Sequence, residues 1–369
     1  MLDEAVIATS TIAWIAFVLG GIFGYVGNKT HFCTMGAVSD IVNIGDWTRM
    51  RMWAGAIGVA VLGTTALQMA GLFDAADSIY TSSRLNWLSH LLGGALFGVG
   101  MTLASGCGSK TLMRIGTGNL KSLIVFVFLG ISAYMTLRGL FGVWRIDYID
   151  VVAIELGARQ DVPSLLSRFG FAPEWTLPLT GAVAGGGLLL FMLSSRGAWQ
   201  LDVFLAAIVI GALIVAGWVL TGHIGYVEEH PHTLEAAFIG TNSGSAESFS
   251  FVAPIAYTLE LFMMWSDTSR IFTFGIAGAL GLIAGAGLHA ALSRTFRIES
   301  FRDPSDLLRH IAGGMLMGFG GITALGCTIG QAIAGVSTLA IGSMITALAI
   351  IAGAAVTMKI QFWLLMRST

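Results

Sequence analysis

Three cysteines, each set in a short polar stretch of an otherwise apolar chain, are the residues best placed to do chemistry. They stand in HFCTMGAVSD at 31–40, SGCGSKTLMRIG at 105–116 and LGCTIGQAIAG at 325–335. A hydroxyl side chain follows each within two residues: Thr34 after Cys33, Ser109 after Cys107 and Thr328 after Cys327. These are residue types that favour a helix N-cap. A helix start carries unsatisfied N–H groups and partial positive charge, so it holds anions and draws a nearby thiol toward the thiolate. One such cysteine would read as a small buried hydrophobe. Three at three helix starts read as an anion route lined with sulfur.

Neighbouring residues extend the candidate site. Lys110 and Gln331 follow their cysteines by three and four residues, about one helical turn, and are placed to donate to a ligand's oxygens. Gly106, Gly108 and Gly326 flank the thiols directly. Lys29 and His31 precede Cys33 and fit either attraction for an anion or a positively charged loop. His90 and His310 open two similar helices, as site candidates or as interfacial histidines.

Other chemistries find little support. There is no CxxC pair, so neither a zinc site nor a thioredoxin-type couple is expected, and three scattered cysteines make no disulfide framework. The segment 222–236 holds His223, His230, His232, Glu228, Glu229 and Glu235, but without helical i,i+4 spacing, so no metal and no cofactor is expected. GCGSKT lacks the spacing of a phosphate-binding loop. A membrane sulfurtransferase, taking a sulfane sulfur on Cys107 or Cys327 as a persulfide, is the competing enzymatic reading. Against it, no acid–base group or soluble acceptor domain accompanies the thiols, and no enzyme is expected.

The elements that must position these residues are repeated. HLLGGALFGVGMTLASGC at 90–107 overlays HIAGGMLMGFGGITALGC at 310–327 with about half the positions identical, including five glycines, the histidine and the cysteine. That is an internal duplication whose unit ends in a thiol.

Composition decides the solvent. The chain has 369 residues, of which 55% are hydrophobic and 11% charged, against about a quarter charged in soluble domains. Its 49 glycines suit close helix packing in lipid. A net charge of −2 suggests no nucleic-acid partner. Runs long enough to cross a bilayer, roughly 17–25 residues, lie at about 11–27, 50–72, 86–104, 119–138, 177–193, 201–221, 271–292, 306–325 and 341–364. The segment 248–265, with Pro254 and Glu260, reads as interfacial or partly inserted. The first run follows an acidic MLDEAVIATS, unlike a signal peptide, and is expected to be retained.

The expectation is an all-α polytopic membrane protein of about nine transmembrane helices, forming one integral membrane domain over 1–369. Its repeat units lie at about 10–138 and 177–365, joined by an outer connection at 139–176. Lys and Arg favour one side of the membrane by roughly two to one, which by the positive-inside rule puts the N-terminus outside and the C-terminus in the cytoplasm. The two units then run in opposite directions, an inverted-topology repeat. The stretches 108–118 and 328–340 become short re-entrant or broken half-helices buried within protein. Cys107 and Cys327 should approach each other near the midplane, with Cys33 at the cytoplasmic exit.

FCTMGAVSD together with the paired GCGSKT and GCTIGQ stretches resembles the YeeE/YedE family of bacterial sulfur-transport membrane proteins, nearest to its thiosulfate uptake transporters. The resemblance covers about residues 10–365. It implies uptake of thiosulfate across the inner membrane past Cys33, Cys107 and Cys327, by transient S–H···S contacts without a stable covalent bond. It leaves room for a cytoplasmic sulfur-carrier or sulfurtransferase protein as acceptor, and for another sulfur or selenium anion as substrate. Thiosulfate suits the pattern physically: oriented N–H groups offset the loss of water around a dianion, and a soft terminal sulfur matches a thiol. The half-repeat partner of the Cys33 region is expected near GWVLTGHIG at 217–225, which has no cysteine, so the route is expected to be asymmetric.

Overall fold

The computed structural model describes residues 2–194, 199–229, 234–267, 271–301 and 303–368. The first half of the chain forms α1 (Leu2–Lys29), α2 (Thr34–Ile44), α3 (Thr48–Met69), α4 (Trp87–Leu103), α5 (Gly108–Gly116) and α6 (Leu120–Arg138). A connection carries α7 (Leu140–Trp144), α8 (Val162–Arg168) and α9 (Pro173–Leu193). The second half forms α10 (Leu201–Val219), α11 (Val252–Met263), α12 (Phe274–Leu292), α13 (Pro304–Thr323) and α14 (Ile341–Ser368), with a wide helical turn at Gly330–Gly335. Strand structure among the described residues is confined to two short antiparallel pairs in loops, Arg84–Leu85 with Ile154–Glu155 and Tyr226–Val227 with Ala237–Phe238.

Eight described segments are long and apolar enough to cross a membrane: α1 with α2, α3, α4 with α5, α6, α9, α10, α12 and α14. The protein is an all-α, multi-pass membrane protein. α13 is 20 residues long but less apolar, with Asp306, Arg309 and His310 in its first two turns. Large apolar side chains such as Trp14, Leu190 and Leu348 face outward, as the lipid-facing surface of a bundle requires.

The packing repeats between the halves. α1 lies along α12 as α10 lies along α3, and α4 lies along α14 as α6 lies along α13. α2 touches α14 as α11 touches α6, while α4 and α13 cross each other at the centre. In this correspondence α5 matches the Gly330–Gly335 turn, and α9, which packs on α3, has no counterpart. The repeated glycines belong to the central crossing. A Cβ on Gly93 would lie 2.7 Å from the Gly320 carbonyl oxygen, and one on Gly313 would lie 2.7 Å from that of Gly100. Any side chain there would force the two helices apart.

Within residues 248–265, α11 is a short apolar helix that buries Val252, Pro254, Ile255, Ala256, Thr258 and Glu260, and the Tyr134 hydroxyl donates to Glu260 at 3.1 Å. One sequence expectation changes. α11 is the counterpart of α2, so the equivalent of Cys33 falls at Phe251–Val252 and not at 217–225. The long loop between α10 and α11 has no equivalent between α1 and α2, which displaced the correspondence.

Candidate functional site

The three thiols are positioned by one local device used three times. A helix ends in a residue of left-handed conformation, and the cysteine stands two residues later. These residues are His31 (φ 53°), Ser105 (φ 58°) and Leu325 (φ 60°). In each case the next residue's N–H reaches five residues back: Phe32 to the Gly27 carbonyl at 3.0 Å, Gly106 to Met101 at 2.9 Å and Gly326 to Gly321 at 2.7 Å. This is the Schellman closure of a helix C-terminus, built here on non-glycine residues that carry backbone strain.

After each closure the cysteine opens the next helix. The Cys33, Cys107 and Cys327 carbonyls accept from the Ala37, Thr111 and Gln331 N–H groups at 3.0, 2.9 and 2.7 Å. Cys33 and Cys107 are extended N-cap residues of α2 and α5. Each sulfur also faces the amide three residues ahead, that of Gly36, Lys110 or Gly330. The sequence reading had assigned the caps to hydroxyl residues. Instead the cysteines hold the cap positions, because each closure ends one residue before the thiol. The hydroxyls are freed for other contacts: Ser109 Oγ lies 3.3 Å from Cys107 Sγ, Thr328 faces Cys107, and the buried Thr34 hydroxyl has no partner among the described residues.

The thiols form a connected set. Cys33 and Cys107 lie within hydrogen-bonding reach of each other, and Cys107 lies beside Thr328, the residue after Cys327. Cys327 Sγ accepts from the Phe251 N–H at 3.4 Å and lies 3.9 Å from Ser250 Oγ. All three are free thiols and buried.

A cavity stands at either end of this set. One, of about 630 Å³, is lined by Cys33 together with Lys29, His31, Arg49, Lys110 and Arg114. The other, of about 250 Å³, is lined by Gly326, Leu325, Ser250, Tyr80, Arg145 and Glu247. In the larger cavity Lys29 pairs with Asp202 at 3.3 Å and Arg49 with Asp40 at 3.2 Å. Arg114 is anchored to the Ser105 carbonyl at 2.7 Å. Lys110 makes no ion pair among the described residues, which leaves its charge facing the thiols.

Other expected residues fall elsewhere or are engaged. The His90 ring lies 2.8 Å from the Thr346 hydroxyl, and His310 lies 2.8 Å from the Asp306 carbonyl and 3.1 Å from its carboxylate. Neither lines the two cavities; both fasten helix ends. Gln331 donates through Nε2 to the Ala324 carbonyl that ends α13, so only its buried, unpaired Oε1 remains. Gly108 is the first residue of α5 beside Phe251, and Gly106 packs on the Lys110 stem. Among the described residues no three His, Cys, Asp or Glu side chains gather as a metal site; His230 and His232 lie outside the described residues. Sequence reasoning missed Ser250, Phe251, Tyr80, Arg145 and Glu247, because they come from loops that carry no thiol.

A family model described as sulphur transport matches residues 29–356. The chain belongs to that family. Two relatives extend the likeness over nearly its whole length. The "Thiosulfate transporter TsuA" of Spirochaeta thermophila is 25% identical over 357 residues, covering 92% of this chain and 96% of the relative. The "Thiosulfate transporter TsuA" of Escherichia coli K12 is 26% identical over 334 residues, covering 86% and 85%. Membership and multi-pass architecture together make this family member a transporter of sulfur-containing anions.

Proposed function

We propose that the protein imports thiosulfate, handing it from Cys327 to Cys107 to Cys33 by transient thiol–sulfur hydrogen bonds. The observation that carries the reading is the chain of three free thiols between two cavities at opposite ends of the bundle. Two relatives bearing the name thiosulfate transporter support the choice of substrate. The larger cavity is the cytoplasmic exit, since it gathers the Lys and Arg residues that favour the inner face. The N-terminus then lies outside a bacterial inner membrane and the C-terminus inside.

Each station is weak by design. The amides of Gly36, Lys110 and Gly330 and the hydroxyls of Thr34 and Thr328 donate to the anion's oxygens. The thiols meet its soft terminal sulfur. Several weak sites in series let an ion enter and leave, whereas one strong cation would hold a dianion in place. No bond to sulfur is made or broken, so the protein acts as a carrier and not as an enzyme. A soluble sulfur-carrier or sulfurtransferase protein at the larger cavity would then consume the product.

Uptake of labelled thiosulfate into proteoliposomes, followed by intact-mass measurement of the protein, tests the reading. The expected result is uptake that excess sulfate competes with poorly, with no added sulfur on the protein. A persulfide mass appearing during turnover would replace the carrier with the sulfurtransferase.

A further inference from the structure

The outer cavity holds a charge that an anion route does not call for. Glu247 lines it and is held there from several sides. The Ser243 N–H donates to its carboxylate at 2.8 Å. Its backbone N–H donates to the Thr221 hydroxyl at 3.0 Å, and that hydroxyl donates back to its carbonyl at 2.5 Å. The Ala246 N–H before it donates to the Asp77 carbonyl at 2.9 Å. These bonds tie the backbone at Glu247 to the turn after α10 and to the loop before α4, and the Ser243 N–H holds the carboxylate toward the cavity.

The groups facing Glu247 do not neutralise it. Tyr80 approaches from the loop before α4 and Tyr257 from α11, both uncharged phenols. Arg145, from the turn after α7, is the one cation among the described residues lining this cavity. Arg145 faces Asp150 through Nε at 3.0 Å, and Asp150 is fixed to α4 by the Ser89 hydroxyl at 2.6 Å. A guanidinium has further N–H donors with which to meet an anion, and no charge effect of Arg145 on Glu247 accompanies the pair. Burial pushes the Glu247 carboxyl above its ordinary value, against the pull of the Ser243 bonds.

We propose that this cavity is an outer capture site for sulfur oxyanions, in which Arg145 supplies the attraction and Glu247 must accept a proton before a dianion is admitted. It rests on the import reading above and adds a selectivity filter ahead of Cys327. With Glu247 ionised, a dianion beside Ser243 and Ser250 meets a like charge in a low-dielectric pocket, where repulsion is strong. With Glu247 protonated, Arg145 and the neighbouring hydroxyls dominate. The proton comes from the outer medium and occupies one carboxylate oxygen; no bond in the anion changes.

The sign follows directly. The protonated fraction of Glu247 grows as the outer medium is acidified, so uptake at subsaturating thiosulfate should rise, by at most about tenfold per pH unit for one titrating group. Glu247→Gln keeps an oxygen acceptor for the Ser243 amide and removes the charge. It should make uptake high and nearly independent of outer pH over the range in which the parent protein changes. Arg145→Gln should raise the KM for thiosulfate about tenfold with little change in maximal rate, and Arg145→Lys should restore most of it.

The experiment is labelled thiosulfate uptake in proteoliposomes at varied outer pH, beside calorimetric binding of thiosulfate and of sulfate to the detergent-purified full chain. Acid-enhanced binding in the parent that Glu247→Gln makes pH-independent supports the capture site even if no thiosulfate is transported. That pattern would sink the import reading and leave the capture site standing. A parent that imports thiosulfate with a pH profile shared by a folded Glu247→Gln protein overturns the capture site alone. So does the absence of binding of either anion.

Discussion

The two repeat-related thiols sit in the same backbone frame and in opposite electrostatic surroundings. Both follow a strained left-handed residue and both open a helical segment. Three residues after Cys107 stands Lys110, whose ammonium has no carboxylate partner among the described residues. Three residues after Cys327 stands Gly330, where a Cβ would fall 2.6 Å from Ser250 Oγ. The missing side chain lets Ser250 approach Cys327. Duplication therefore supplied the geometry, and the residues at this position differ: a neutral hydroxyl-lined station behind the smaller cavity, and a cationic one toward the larger cavity. On the proposed route a dianion moving from Cys327 to Cys107 runs toward positive charge, which would make the rates of uptake and efflux unequal at saturating substrate.

Removing either thiol should break the comparison most completely. Cys107→Ala and Cys327→Ala should each lower uptake by roughly tenfold or more if transfer needs a thiol at every station. Folding should survive, because losing one small buried group costs about 1 kcal/mol. Uptake assays at matched membrane levels check this, and normal transport by either variant would end the thiol route. Cys107→Ser sharpens it. Serine keeps size and a donor, but it lacks polarisability and is harder to bury unpaired. Serine should recover little activity; full recovery would mean that shape and hydrogen bonding suffice.

How far the sequence exposed this arrangement can be traced residue by residue. The shared grammar of Cys33, Cys107 and Cys327 was legible because thiols are rare here and each sits beside glycine or a hydroxyl residue. The all-α membrane fold was legible from apolar runs of bilayer length. The cap assignment was misread, because a Schellman closure is normally announced by glycine in the left-handed position, and here His31, Ser105 and Leu325 occupy it. The counterpart of Cys33 was misplaced because the outer loop before α11 breaks the repeat. Arg145 and Glu247 were invisible as a pair, since about a hundred residues separate them and only the fold brings them to one cavity.

The contrast at the third position after each thiol gives a smaller effect. Lys110→Gln should reduce uptake severalfold, mainly through transfer from Cys327 to Cys107, and lessen its inward bias. Gly330→Ala should also reduce uptake by displacing Ser250, but without altering that bias. Comparing uptake with efflux in oriented proteoliposomes separates the two variants. Equal effects on both directions in both variants would remove Lys110 as a source of direction.

Cys33 offers the mildest perturbation, since it is read by labelling and not by loss of transport. Its side chain lines the larger cavity, whereas Cys107 sits behind it and contacts the second half of the molecule through Thr328. A membrane-impermeant thiol reagent applied from the cytoplasmic face should therefore label Cys33 first and Cys107 more slowly. Lys29, His31 and Lys110 around that cavity favour an anionic reagent over a cationic one of similar size. Thiosulfate should slow the reaction by occupying the same route, and sulfate, which lacks the soft sulfur, should slow it less. Preferential labelling of Cys33 from the opposite face would invert the membrane orientation, making the cationic larger cavity the one met first by an incoming anion and reversing the order of the two stations.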